Sequence, residues 1–132
     1  MIKLIRYAAI ATIVILNLSL LDGCGPMKSI DDDVKILTMT LSPDKEIVAT
    51  AYDVYGGGAA GYLYTFVNIR NKEVAFNQSR GIVFQGTSVK DISLEWQDND
   101  LLIIKYSKLS NVYTQEKVWR DKRKILINYI TK

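Results

Sequence analysis

The sequence predicts an all-β protein, a small antiparallel sandwich or open barrel of about 7–8 strands behind an N-terminal signal helix. Three observations carry this expectation. Downstream of Cys24 no segment sustains a helical period of apolar residues. The apolar residues come instead in short runs rich in Val, Ile, Thr and Tyr, side chains that fit a pleated, half-buried surface. Polar turn sequences stand between the runs at short spacing: Ser42-Pro43-Asp44-Lys45, Asn71-Lys72, Asp98-Asn99-Asp100 and Arg120-Asp121-Lys122-Arg123.

Taken in order, residues 35–41 alternate in part and form the first strand. In the turn that follows, Pro43 presets φ and Asp44 supplies a side chain that can bond the backbone. Residues 46–55 are a second strand, apolar on both faces through Ile47, Val48, Ala49 and Ala51, as a central strand is. Residues 56–61 are a glycine-rich loop. Residues 62–70 are a third strand, with Tyr62, Tyr64 and Phe66 on one face and Leu63, Val67 and Ile69 on the other. A short edge piece is expected at 73–76, a strand at 81–85 ending at Gly86, an alternating strand at 89–96 and a buried strand at 101–106. Residues 111–119 and 124–130 read as a last hairpin around the basic turn 120–123.

The N-terminal segment has a different composition. Lys3 and Arg6 precede a run from Ala8 to Leu16 that is apolar apart from Thr12 and continues to Leu21. A basic start, a short apolar stretch and a small residue at the end describe an export signal. The apolar stretch is about 15 residues, roughly 22 Å as a helix, and a bilayer core needs ~30 Å. The expected organisation is a signal peptide at 1–23, a tether at 24–34 and a single β domain at 35–132. Removing the first 23 of 132 residues leaves 109, enough to bury a core without staples.

Composition narrows the chemistry. There is no histidine, and Cys24 is the only cysteine. Zinc sites of Cys/His type and Ser-His or Cys-His nucleophile pairs are therefore absent, and no disulfide framework is available. Without Lys3, Arg6 and Asp22 the formal charge is about +2, too small to argue for nucleic acid. Asp31, Asp32 and Asp33 are adjacent, whereas a calcium loop spaces its carboxylates at alternate positions around a turn glycine. The letters of Gly56-Gly57-Gly58-Ala59-Ala60-Gly61 match G-x-G-x-x-G, but a strand-like run follows, not the helix a dinucleotide site needs. No metal or cofactor is expected. Asp53, Asp91 and Glu95 lie on or near strands without a spacing that implies convergence, so no acid/base pair is assigned and no enzymatic activity is expected.

The remaining candidates are surfaces. The loop residues Gly57 and Gly58, with Tyr55, Tyr62, Tyr64 and Tyr52 around them, form a candidate partner-contact surface, because aromatics are enriched at interfaces. Arg120, Lys122, Arg123 and Lys124 form a basic turn that can lean on anionic headgroups or simply solubilise the domain. Trp96 and Trp119 read as packing residues.

Two resemblances add to this reading. Leu21-Asp22-Gly23-Cys24 resembles the lipobox of bacterial lipoproteins, in which the cysteine sulfur receives a diacylglyceryl group and the signal is cut before it. Asp22 departs from that pattern, which has an uncharged small residue there. The resemblance implies attachment to the membrane through acylated Cys24, and Gly25 in place of the Asp that retains such proteins at the inner membrane leaves the outer membrane open. Ser42-Pro43-Asp44-Lys45, Val48-Ala49-Thr50-Ala51-Tyr52, the loop ending Gly61-Tyr62, Glu95-Trp96 and Leu102-Ile103-Ile104-Lys105-Tyr106 resemble a family of small bacterial lipoproteins with no established activity. Its members carry Ser-Pro-Asp-Gly-Lys. This chain lacks the glycine after Asp44, so its first turn must close differently.

The expectation is a lipid-anchored envelope protein, non-enzymatic, whose β domain contacts another envelope component. The alternative is an inhibitor or immunity-type protein that inserts its glycine-rich loop into a partner. A hydrolase working through Asp53, Asp91 and Glu95 is the third reading.

Overall fold

The computed structural model describes residues 33–56, 61–108 and 110–132. Among them are nine strands: β1 (Asp33–Leu41), β2 (Ile47–Gly56), β3 (Tyr62–Asn71), β4 (Ile82–Thr87), β5 (Ser93–Asp98), β6 (Leu101–Tyr106), β7 (Asn111–Gln115), β8 (Val118–Arg120) and β9 (Lys124–Thr131). They form two sheets, of order β1-β2-β3-β4-β7 and β5-β6-β9-β8. The all-β class is borne out. Neither sheet closes on itself, so each keeps two edge strands.

The core follows from alternation. Ala49, Ala51, Val67, Ile69, Val83 and Phe84 of the first sheet meet Leu102, Ile104, Ile125 and Ile127 of the second, all buried. Polar tips join the layers. The Trp96 indole N–H donates to the Thr40 carbonyl at 3.3 Å. The Tyr129 hydroxyl, on β9, lies 2.9 and 2.6 Å from the Val83 and Glu116 carbonyls and shares its one proton between them. Burial holds that phenol protonated, pushing its pKa upward.

Six of the seven ladders are antiparallel; β6 and β9 run parallel. The path of the chain causes this. After β6 it crosses to the edge of the first sheet as β7, changes sheets over Glu116 and Lys117, and returns as β8. The hairpin β8–β9 then lays β9 between β8 and β6. The expected strand 111–119 is thereby two strands in different sheets. The crossing is pinned by Glu116 N–H donating to the Val83 carbonyl (2.7 Å) and Ile127 N–H to the Lys117 carbonyl (2.9 Å).

Other boundaries also differ. Strand β1 begins at Asp33, inside the expected tether, and β4 runs through Gly86 rather than ending there. The expected strand at 89–96 begins at Ser93, because Ser88 (φ 54°) and Asp91 (φ 55°) hold left-handed backbone that breaks a pleat. The expected edge piece at 73–76 is not a strand. Within it the Val74 N–H donates to the Asn71 carbonyl and the Val74 carbonyl accepts from Arg70 Nη1, and just beyond it Asn68 Nδ2 donates to the carbonyls of Asn77 and Arg80.

Candidate functional site

The structure splits the tyrosine cluster that the sequence suggests. Strands β2 and β3 pair in unbroken register, Tyr52 opposite Phe66, Val54 opposite Tyr64, Tyr55 opposite Leu63 and Gly56 opposite Tyr62. Directly opposed residues share a face. Tyr52, Tyr64 and Tyr62 therefore lie on the outer face of the five-stranded sheet. Tyr55 points the other way, with Leu63, beyond the end of the core. Cys24, Gly57 and Gly58 lie outside the described residues.

On the outer face the aromatic rings form a continuous row. Tyr52 stacks on Phe66 with centroids 5.5 Å apart and meets the Phe76 edge at 5.0 Å. Tyr64 contacts Phe66 (6.2 Å), Tyr62 (5.3 Å) and, across the sheet on β7, Tyr113 (6.4 Å). The row changes character along its length. Tyr52 is fully buried, its hydroxyl donating to the Gln78 carbonyl at 2.8 Å, and burial raises its pKa. It is a packing residue under the 72–81 connection, not a contact. Tyr113, which no sequence pattern singled out, is the most exposed large apolar side chain among the described residues, at 64%. Its signal in the sequence is the alternation of Val112 and Tyr113 on β7, a strand that ends at Gln115.

Strand β1 extends this face. Val34, Ile36, Met39 and Leu41 oppose Val54, Tyr52, Thr50 and Val48, and all four are exposed. A register shift between Ile36 and Thr38 inserts Leu37 as an extra residue. That bulge keeps Met39 and Leu41 on the outer face despite the change of parity from Val34 and Ile36.

At the other end of the sandwich three turns converge on one guanidinium. The Asp44 carboxylate accepts from Ser42 Oγ at 2.6 Å, from the Glu46 N–H at 3.2 Å and from Arg123 Nη1. Arg123 also donates to the Asn99 carbonyl and lies 3.5 Å from Asp100 Oδ1, while the Asp44 N–H donates to Asn99 Oδ1 at 2.8 Å. The Arg123 guanidinium, then the Ser42 hydroxyl, hold the Asp44 carboxyl well below the usual range. The same contact raises the pKa of Arg123. Within the basic turn, Arg123 is thus a cross-link between turns.

The three carboxylates considered for catalysis stand apart. Asp53 Oδ1 accepts from Thr65 Oγ1 at 2.6 Å on the side of β2 that faces the second sheet. Glu95 pairs with Lys105 at 3.0 Å on the outer face of the second sheet. Asp91 lies in the turn before β5, where its carbonyl accepts from Lys132. Beneath the 72–81 connection a crevice of about 200 Å³ is bordered by Arg70, Arg80, Arg120 and Trp119. Beside it Asn68 Oδ1 and Arg70 Nε are buried without a hydrogen-bond partner. A wider groove of about 480 Å³ at the β2–β3 tip is lined by Asp33, Tyr55, Gly56, Gly61, Tyr62 and Leu63.

Among the described residues no helix is long and apolar enough to cross a membrane, and no group of three or more acidic or cysteine side chains stands close enough to hold a metal. Compared with known proteins, the chain matches no family model, no curated protein and no solved structure. What the arrangement offers is contact area: an aromatic and aliphatic sheet face, and a hairpin tip bearing Tyr55 and Leu63.

Proposed function

We propose that this protein is a lipid-anchored component of a bacterial envelope whose β domain works by contact, not catalysis. The observation that carries the anchor is Cys24 itself, a lone cysteine closing a short apolar run in Leu-Asp-Gly-Cys, with the first strand among the described residues beginning nine residues later. Stable attachment takes two or more acyl chains, each buried CH₂ contributing about 0.8 kcal/mol, and the lipobox resemblance supplies that number. The contact role is supported by the polar clusters: Asp44–Arg123, Asp53–Thr65 and Glu95–Lys105 each close a structural bond. By contrast, Val34, Ile36, Met39, Leu41 and Tyr113 are left facing solvent.

Metabolic labelling with a fatty acid tests the anchor. Label is expected on the wild type and absent from Cys24→Ala; equal labelling of the two ends the claim. A second reading, an inhibitor or immunity-type protein, is favoured by the hairpin tip, where Tyr55 and Leu63 flank the groove beside the glycine-rich loop. Crosslinking pull-down with and without residues 57–60 separates the two. Loss of one partner supports tip insertion, and an unchanged set of partners counts against it.

A further inference from the structure

We propose that the exposed part of the outer face of the five-stranded sheet, the β1 edge together with Tyr62 and Tyr113, lies against the bilayer, the 72–81 connection covering the part between them over Tyr52. This rests on the anchoring proposed above and adds an orientation to it. The outer face of an antiparallel sandwich ordinarily carries polar residues, since only the inner face is packed. Here four successive outward positions of the edge strand β1 are Val34, Ile36, Met39 and Leu41, and their exposures run from 37% to 60%. Contiguous exposed apolar area of this kind marks a surface that meets something.

The position of the tether selects the bilayer as what it meets. Cys24 and Asp33 are nine residues apart, and nine residues reach at most about 32 Å. Asp33 is the first residue of β1, so the strand with the exposed aliphatic side chains is the strand joined to Cys24 by the fewest residues of chain. The margins of the face match an interface between hydrocarbon and water. On the β3–β7 side stand Tyr62 and Tyr113, amphipathic rings of the kind that settle at headgroup level. At the opposite end, Arg70, Lys72 and Arg80 outnumber the one acid of that stretch, Glu73, and favour anionic headgroups. Arg70 already reaches across this face, its Nη2 3.7 Å from Met39 Sδ.

The test uses the full protein, purified from a host that acylates it and reconstituted into vesicles of phosphatidylethanolamine and phosphatidylglycerol. Single cysteines are introduced as Met39→Cys and Tyr113→Cys on the face and as Glu95→Cys on the outer face of the other sheet, each carrying an environment-sensitive dye. Quenching by brominated lipid is expected to be at least threefold stronger at the first two sites than at the third, and equal at all three in detergent. Equal quenching at the three sites in vesicles overturns the proposal. So does dye protection that rises with protein-to-lipid ratio without lipid quenching, which would place a second copy on the face. Intact mass reads the anchor separately. If the acyl mass is missing, the anchoring claim falls alone, and the face is judged by adding vesicles to the unacylated chain: preferential quenching at Met39→Cys and Tyr113→Cys supports it, and no quenching ends it.

Discussion

Lys45 has a backbone φ of 63°, left-handed for a residue with a β-carbon, and its N–H donates to the Ser42 carbonyl at 2.8 Å to close the first turn. It directly follows Asp44, so the turn closes on a lysine in a conformation that glycine adopts freely. Left-handed backbone costs a non-glycine residue roughly 1–2 kcal/mol. Lys45→Gly is expected to raise stability by about 1 kcal/mol, read as a higher urea midpoint at unchanged slope; a lower midpoint would mean that the lysine side chain contributes more than the strain costs. One residue earlier, Asp44 couples stability to pH. Its folded-state pKa lies below the unfolded value of about 3.9. Its stabilisation is therefore complete above that value and is lost as pH falls from about 4 toward the lowered folded pKa. Asp44→Asn should be less stable than wild type at neutral pH, and its unfolding midpoint should fall less steeply below about pH 4. Parallel acid limbs for the two proteins would show that the guanidinium contact does not stabilise the fold. Asp44 was legible from Ser-Pro-Asp as a turn former, but its partner lies 79 residues away, and nothing in the basic run distinguished Arg123 from Lys122.

Among the elements, the β3–β4 connection does the most to separate buried from exposed surface. It covers Tyr52 through Phe76 and Gln78, and leaves Tyr62, Tyr113 and the β1 side chains uncovered. It returns to the sheet at Gly81, where φ is +71° and a β-carbon would stand 2.2 Å from the Ile69 carbonyl oxygen. That oxygen is backbone and cannot swing aside, and the Ile69 N–H donates to the Gly81 carbonyl at 2.9 Å. Gly81→Ala is expected to destabilise by on the order of 3 kcal/mol, measured by urea unfolding; a loss under half of that would mean that the connection relaxes without cost. Strand existence was readable because each strand carries its own alternation, as β2 and β3 do. Strand limits were less so. The run 111–119 holds no glycine or proline to mark a break, and its two destinations, Val112 against the first sheet's core and Trp119 against the second's, divide it at Glu116 and Lys117.

For the whole molecule, stability rests on the layer between the sheets. Ile104 is fully buried at its centre, on β6 between β5 and the parallel β9. Ile104→Ala should cost about 2–5 kcal/mol through lost transfer energy and the cavity left behind, seen as a lowered unfolding midpoint with unchanged sheet signal in the far-ultraviolet spectrum. A domain of this size has about 5–15 kcal/mol in total, so the variant should sit near the edge of folding at 37 °C. The all-β class, most strand centres, the lone thiol and the missing histidine are legible in the chain alone, because these follow from residue type and local period. Tertiary structure alone decided the parallel pairing of β6 and β9, the Arg123 cross-link, the burial of Tyr52, and the separation of Tyr55 from Tyr62 and Tyr64. Each of these depends on which distant segment lies alongside, and a local pattern of side chains carries no record of its neighbour across the sheet.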